Sequence, residues 1–284
     1  MKKIELTIIA AIALIIIVSA AARALATSDS ATASGTQILF TDKLNGTEGM
    51  ALCPDGKMFT IENGGDNAKI YEVVDDNTLK LFAGGYNGPA GLACGPNDDL
   101  YIAEYSAGNV DYISADGKTK KVLASGFKNP NGIVAASDGS VYMSDSTAGT
   151  VTKITADGKV EKFLTGINFA NGLLLSPDES LLYIAQTTPN KVIVTPLSGE
   201  NKGKKKTYAS KLSMVDGITA DADGNLYACL FSKGEIAKVG KDGAITIIAS
   251  GLFTPASPVI KNGALYITIA RGKGLYKIPL PEKK

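Results

Sequence analysis

Residues 214–230 read MVDGITADADGNLYACL. Asp216 precedes Gly217, an apolar stretch follows, Asp223-Gly224 interrupts it, and Tyr227 opens a second apolar run. Asp-Gly favours hairpin turns that need positive φ, so the stretch predicts strand, tight turn, strand. The pattern recurs as EGMALCPDGKMF, AGLACGPNDDLY, NGIVAASDGSVY, NGLLLSPDESLLY and, less closely, SPVIKNGALY. The closing aromatics of the six copies are Phe59, Tyr101, Tyr142, Tyr183, Tyr227 and Tyr266, spaced 42, 41, 41, 44 and 39 residues apart. A period near 40 with short β-type runs and Asp-Gly or Asn-Gly turns predicts the blades of a β-propeller.

A third apolar run follows each copy, such as AKIYEVV, GTVTKIT and GLYKIPL. A fourth follows five of them, such as TLKLFAGGY and AITIIASGL, but the last copy ends at PLPEKK without one. The matching piece stands at the front, as TQILFTDKL over residues 36–44. The expected fold is therefore all-β: a six-bladed β-propeller over residues 36–284, closed by an N-terminal strand that joins the last blade. Closure of this kind removes the exposed sheet edge of an open ring.

The N-terminus begins with Lys2 and Lys3, continues with a mainly apolar run from Leu6 to Ala22, and reaches Ala24-Leu25-Ala26. This is the layout of a signal peptide over residues 1–26, with a linker over 27–35. The apolar run over residues 6–22 is also just long enough for an uncleaved membrane anchor. Either way the sequence predicts export, to a periplasmic, extracellular or outward-facing anchored position. The net charge of +1 gives no nucleic-acid footprint. The chain contains no His, which excludes serine-triad chemistry and histidine zinc sites. Cys53, Cys94 and Cys229 form an odd set without a metal-binding pattern, and they read as small buried hydrophobes. Cys53 and Cys94 fall in corresponding strands of successive copies, and whether they pair is left open. The Lys-rich insert ENKGKKKTYASK reads as a solvated hairpin.

The residue before the opening Gly of each copy is Glu48, Ala90, Asn131, Asn171 and Asp216 in turn, with Ser257 before Pro258 in the sixth. The first strand of a propeller blade is innermost, so these positions form a ring at one mouth of the central channel. Two carboxylates and two carboxamides that converge on one axis need a cation to balance them. Hard oxygen donors without His or Cys suit Ca²⁺. Glu48, Asn131, Asn171 and Asp216 are the expected metal ligands. A second set stands three residues after the aromatics: Glu62, Glu104, Asp145 and Gln186, followed by Leu230 and Ile269. Its polar members are candidates for contacts with substrate or around the ligands, against the alternative of hydrogen bonds between blades.

The stretches TEGMALCPDGKMF, NPNGIVAASDGSVY, NFANGLLLSPDESLLYIAQT and VDGITADADGNLYACL resemble the family of senescence marker protein, gluconolactonase and luciferin-regenerating enzyme. More distantly the chain is similar to strictosidine-synthase-like and paraoxonase-type propellers. The resemblance implies one divalent metal, usually Ca²⁺, held by residues that match Glu48, Asn131, Asn171 and Asp216. It also implies a lactonase or related ester hydrolase acting on a small lactone or ester. Asp216 is the implied catalytic base, with Asp145 and Glu104 as alternatives. The competing expectation is a non-catalytic envelope propeller that binds a ligand or a partner protein.

Overall fold

The computed structural model describes residues 37–75 and 77–281. The expected leader or anchor over residues 1–26 and the linker over 27–35 lie outside them. Among the described residues, no helix is long and apolar enough to cross a membrane.

The described residues form six four-stranded antiparallel sheets. Strand β1 (Ile38–Asn45) comes first. Blade 1 contains β2 (Thr47–Leu52), β3 (Met58–Glu62), β4 (Ala68–Asp75) and β5 (Thr78–Tyr86). Blade 2 contains β6 (Pro89–Cys94), β7 (Leu100–Glu104), β8 (Asn109–Ile113) and β9 (Lys120–Ser125). Blade 3 contains β10 (Pro130–Ala135), β11 (Val141–Asp145), β12 (Thr150–Ile154) and β13 (Val160–Leu164). Blade 4 contains β14 (Ala170–Leu175), β15 (Leu181–Gln186), β16 (Lys191–Pro196) and β17 (Lys206–Ser210). Blade 5 contains β18 (Val215–Ala220), β19 (Leu226–Leu230), β20 (Glu235–Val239) and β21 (Ile245–Ala249). Blade 6 contains β22 (Pro255–Lys261), β23 (Ala264–Ile269), β24 (Lys273–Pro279) and, as its outermost strand, β1.

Strand β1 pairs with β24, with Ile38 opposite Lys277 and Leu39 opposite Tyr276. Phe40 meets Tyr266 edge-on, with centroids 5.4 Å apart, and so ties β1 across the blade. The N-terminal strand thus closes the ring, as the missing fourth strand of the last copy predicts. Each innermost strand also packs against the innermost strands of the two adjacent blades, and β22 returns to β2.

Alternation along the strands makes the core. Apolar side chains fill the spaces between neighbouring blades, in six clusters that run around the ring. Period-2 patterning puts them there, because each sheet buries both faces against its neighbours. The turns behave as their residues require: Gly56, Gly139 and Gly224 all take positive φ, between 76° and 86°.

Cys53 and Cys94 form a disulfide with Cα atoms 5.1 Å apart. It joins blades 1 and 2 from the residue just after β2 to the last residue of β6. Cys229 is free and fully buried.

Candidate functional site

Strand pairing explains how side chains reach the axis. In β2 the partners jump from Thr47↔Glu62 to Met50↔Thr60, so Glu48 and Gly49 oppose a single residue. The same irregularity occurs at Pro130/Ile133, Ala170/Leu173, Val215/Ile218 and Pro255/Pro258. A bulge of this kind bends the strand and re-aims a side chain. Here it turns Glu48, Asn131, Asn171 and Asp216 into one central cavity of about 100 Å³.

The Gly after each ring residue sets how close the blades approach. A Cβ on Gly172 would stand 2.7 Å from the Asp216 carbonyl oxygen, and one on Gly49 would stand 2.9 Å from that of Ala90. Gly91, Gly132 and Gly217 face the carbonyls of Asn131, Asn171 and Ala256 in the same way. The last contact corrects the sixth ring position. Pro258 pairs with Ile267 as Ile218 pairs with Ala228, so Ala256 corresponds to Asp216 and Ser257 takes the place of the Gly. Ser257-Pro258 only looks like a shifted Asp216-Gly217 in sequence. The ring is therefore Glu48, Ala90, Asn131, Asn171, Asp216 and Ala256.

Hydroxyls two residues after the aromatics lock neighbouring ring strands together. Ser144 donates to the Asn171 carbonyl at 2.7 Å and accepts from Gly132 N at 2.9 Å. Thr268 does the same for the Glu48 carbonyl at 2.6 Å and for Ser257 N at 2.7 Å. Asn171 is 6% exposed, and its Nδ2 donates to Thr187 Oγ1 at 3.1 Å. Its amide also bonds the Asp216 carboxylate. With the amide hydrogens so engaged, Oδ1 is the atom left for the cavity.

Glu48 and Asp216 are half-buried, and both line the cavity. Burial raises Glu48 to about 7, although the Arg271 charge opposes the shift. Asp216 is held well above the carboxylate range, first by burial and then by the Glu48 charge, with the Asn171 hydrogen bond opposing. Neither makes an ion pair within 4.0 Å among the described residues. Two desolvated carboxylates and two amides around one small space are a donor set of oxygens alone, short of positive charge. A hard divalent cation fits it.

The second set of polar residues does not line this cavity. Each instead holds the connector entering its own blade. Glu62 accepts from Asn45 N at 3.1 Å and Glu104 from Asn87 N at 3.3 Å. Asp145 accepts from the backbone N–H groups of Lys128 at 2.7 Å, Asn129 at 3.2 Å and Ala148 at 2.8 Å. Gln186 donates to the Asn168 carbonyl at 3.4 Å. These are fixed clamps, so Asp145 and Glu104 are not placed to act as bases in the cavity. Among the first-strand neighbours the sequence reading missed Thr187, Thr268 and Arg271. Thr187 stands four residues after Tyr183, whereas Thr268 shares with Ser144 the place two residues after the aromatic, a phase that could have been read. Arg271 sits in a short loop without one, and its guanidinium stacks 5.4 Å from the Phe231 ring centroid.

Residues 128–271 match the SMP-30/Gluconolactonase/LRE-like region, a span that includes three of the four ring oxygens donors. The chain belongs to this family. Members' kinship is visible in the fold: a gluconolactonase from Xanthomonas campestris superposes with a TM-score of 0.75 at 20% identity, over 89% of this chain and 94% of that one. Regucalcin from Agrobacterium tumefaciens, described as a calcium-binding protein, gives 0.71 at 17% identity, over 88% and 98%. Strictosidine synthase-like 10 from Arabidopsis thaliana is 36% identical over 70 residues, which is 25% of this chain and 19% of that protein's length. Within the SMP-30/gluconolactonase family fold, the central cavity is where this chain gathers two carboxylates and two carboxamides.

Proposed function

We propose that this protein is a divalent-cation-dependent lactonase or related ester hydrolase that works in the central cavity. The observation that carries the reading is the convergence there of Glu48, Asn131, Asn171 and Asp216, with both carboxylates pushed towards the protonated form by burial. Family membership and the gluconolactonase-like fold support the reaction class. These four side chains would hold the cation, and Ca²⁺ suits an irregular, oxygen-only set. Bound there, such an ion supplies Lewis-acid polarisation of the ester carbonyl.

The chain's own residues supply the proton handling. Asn171 fixes the Asp216 carboxylate through its amide, and burial makes that carboxylate a better base than an exposed one. Asp216 takes a proton from the attacking water, whose oxygen bonds to the acyl carbon. The acyl–oxygen bond then breaks, and the proton passes to the departing alkoxide to give a hydroxy acid. The clamps by Glu62, Glu104, Asp145 and Gln186 hold the rim of this site still.

We place the protein outside the cytoplasm as part of the same proposal. The leader-like N-terminus motivates it, and the Cys53–Cys94 disulfide suits an oxidising compartment.

The test is a panel of lactones and aryl esters assayed with Ca²⁺, Mg²⁺, Mn²⁺ and Zn²⁺. Turnover that disappears on chelation, while circular dichroism still reports the β fold, supports the proposal. Absence of turnover on every substrate with every metal would favour the binding-scaffold alternative.

A further inference from the structure

The repeat provides a control for every position. Where the chain leaves one blade for the next, five blades place an apolar residue: Leu44, Phe127, Ile167, Leu212 and Leu252. Blade 1 places Tyr86 there instead. Tyr86 is only 5% exposed, and its hydroxyl has no hydrogen-bond partner. In the third strand, the residues equivalent to Asp111 are Tyr71, Thr152, Ile193, Ala237 and Tyr276, none of them charged. Asp111 Oδ1 is likewise buried without a partner. Two departures from the repeat, one in each of two adjacent blades, therefore leave two orphaned oxygens.

They lie together. Tyr86 and Ile102 belong to one buried cluster between blades 1 and 2. Ile102 pairs with Asp111 and Glu104 with Asn109, so Asp111 and Glu104 share that face of blade 2. Glu104 is 5% exposed, and its carboxylate accepts from Asn87 N at 3.3 Å and from the Asn109 side chain. The charges of Asp111 and Glu104 both act on the Tyr86 phenol, and that of Glu104 acts on Asp111. No Lys or Arg pairs with either carboxylate within 4.0 Å among the described residues. Asp111 is half-buried as a residue, but its Oδ1 is fully enclosed, and enclosing carboxylate oxygens without a counter-charge is costly. A water could satisfy the orphaned atoms, but it would leave the charge uncompensated.

We infer that Glu104, Asp111 and Tyr86 form a second cation site, wedged between blades 1 and 2 and separate from the central cavity. None of the three lines that cavity. The donors are again all oxygen and come from two blades, so the ligand is a hard divalent ion of the Ca²⁺ class. Its role is structural: it ties the last strand of blade 1 to blade 2, at the opposite end of the inner strands from the disulfide.

Calcium calorimetry on wild type, Asp111→Asn, Tyr86→Phe and Asp216→Asn tests the site, with terbium luminescence excited through tyrosine as a second readout. Tyr86→Phe places at this position the residue that blade 2 carries as Phe127, so its folding is not in question. One binding event should vanish in Asp111→Asn and survive in Asp216→Asn. Tyr86→Phe should weaken that event and remove most of the tyrosine-sensitised terbium emission. Calcium should raise the melting temperature of wild type more than that of Asp111→Asn. Equal calcium stoichiometry and equal calcium-induced shifts in wild type and Asp111→Asn would overturn the proposal. So would a stabilisation of Asp111→Asn that is the same with and without calcium, which is the signature of a shared proton in place of a metal. Loss of the Asp216-dependent event alone concerns the central cavity and leaves this site standing.

Discussion

The carbonyl oxygen of Asp216 lies 2.7 Å from the point where a Cβ on Gly172 would stand. Blade 4 can approach blade 5 this closely only because residue 172 has no side chain. The same approach brings Asn171 within hydrogen-bonding reach of the Asp216 carboxylate. Gly172→Ala should therefore push two ring strands apart, with an overpacking cost of about 1–3 kcal/mol. Thermal unfolding should report the loss, and calcium affinity should fall with it. A stable variant with unchanged metal affinity would show that ring spacing does not control the site.

Asp216→Asn separates ligand from base. The amide matches the carboxylate in size, so the fold should survive. One of two charged donors is removed, so calcium binding should weaken. If Asp216 is also the base, saturating calcium will restore occupancy without restoring turnover. Calorimetry across a calcium titration, beside a hydrolysis assay, distinguishes the two roles. Unchanged calcium affinity would remove Asp216 from the ligand set.

Asp145 offers the opposite case. It accepts three backbone N–H groups from the connector and turn around it. Asp145→Ala should cost about 1–3 kcal/mol, the usual penalty for stranding buried donors. Turnover per folded molecule should stay close to wild type. A fully folded variant without turnover would return Asp145 to the chemistry.

The fold was legible because a period near 40 residues and a missing last strand leave few alternatives. The ring oxygens were legible because each precedes a Gly that only the axis requires. The sixth copy was misread by one residue, since Ser257-Pro258 imitates Asp216-Gly217 and strand register is not visible in one dimension. Glu62, Glu104, Asp145 and Gln186 share a repeat phase as regular as that of the ligands. Phase alone does not say which way a side chain leaves the pleat, and theirs lead to the connectors. Arg271 has no phase at all, so only the fold brings its charge near Glu48. The Cys53–Cys94 pairing needed the distance between two inner strands.

That disulfide closes a separation of 41 residues. A loop of this length is worth about 4 kcal/mol in the chain-entropy view. The double variant Cys53→Ala and Cys94→Ala should lose much of that in denaturant unfolding. Calcium affinity should change little, because the bridge lies at the far ends of the inner strands. A large loss of affinity would mean that blades 1 and 2 transmit strain along β2 to Glu48.

Metal-free protein should lose stability as pH rises from about 4.5 to about 7. Glu48 is raised from its ordinary 4.5 to about 7 by burial. Between those values the folded state holds a proton that the unfolded chain releases, so stability falls with pH. The contribution is fully present below the unfolded value and is gone once pH passes the folded one. Asp111, raised from its ordinary 3.8 to about 7 by burial, adds to the slope across the whole of this window. A shift of this size corresponds to roughly 3 kcal/mol for Glu48 alone, before any relaxation of the site. Glu48→Gln should flatten the curve, and Arg271→Gln should move its upper end to higher pH, because the Arg271 charge now holds the shift down. Calcium should reverse the trend, since the ion and the proton compete for the same oxygens and affinity rises as Glu48 ionises. Denaturant titrations from pH 4.5 to 8, with chelator and then with calcium, measure both curves. Stability that climbs with pH in chelator would mean that Glu48 is already ionised without metal, with Arg271 as its counter-charge.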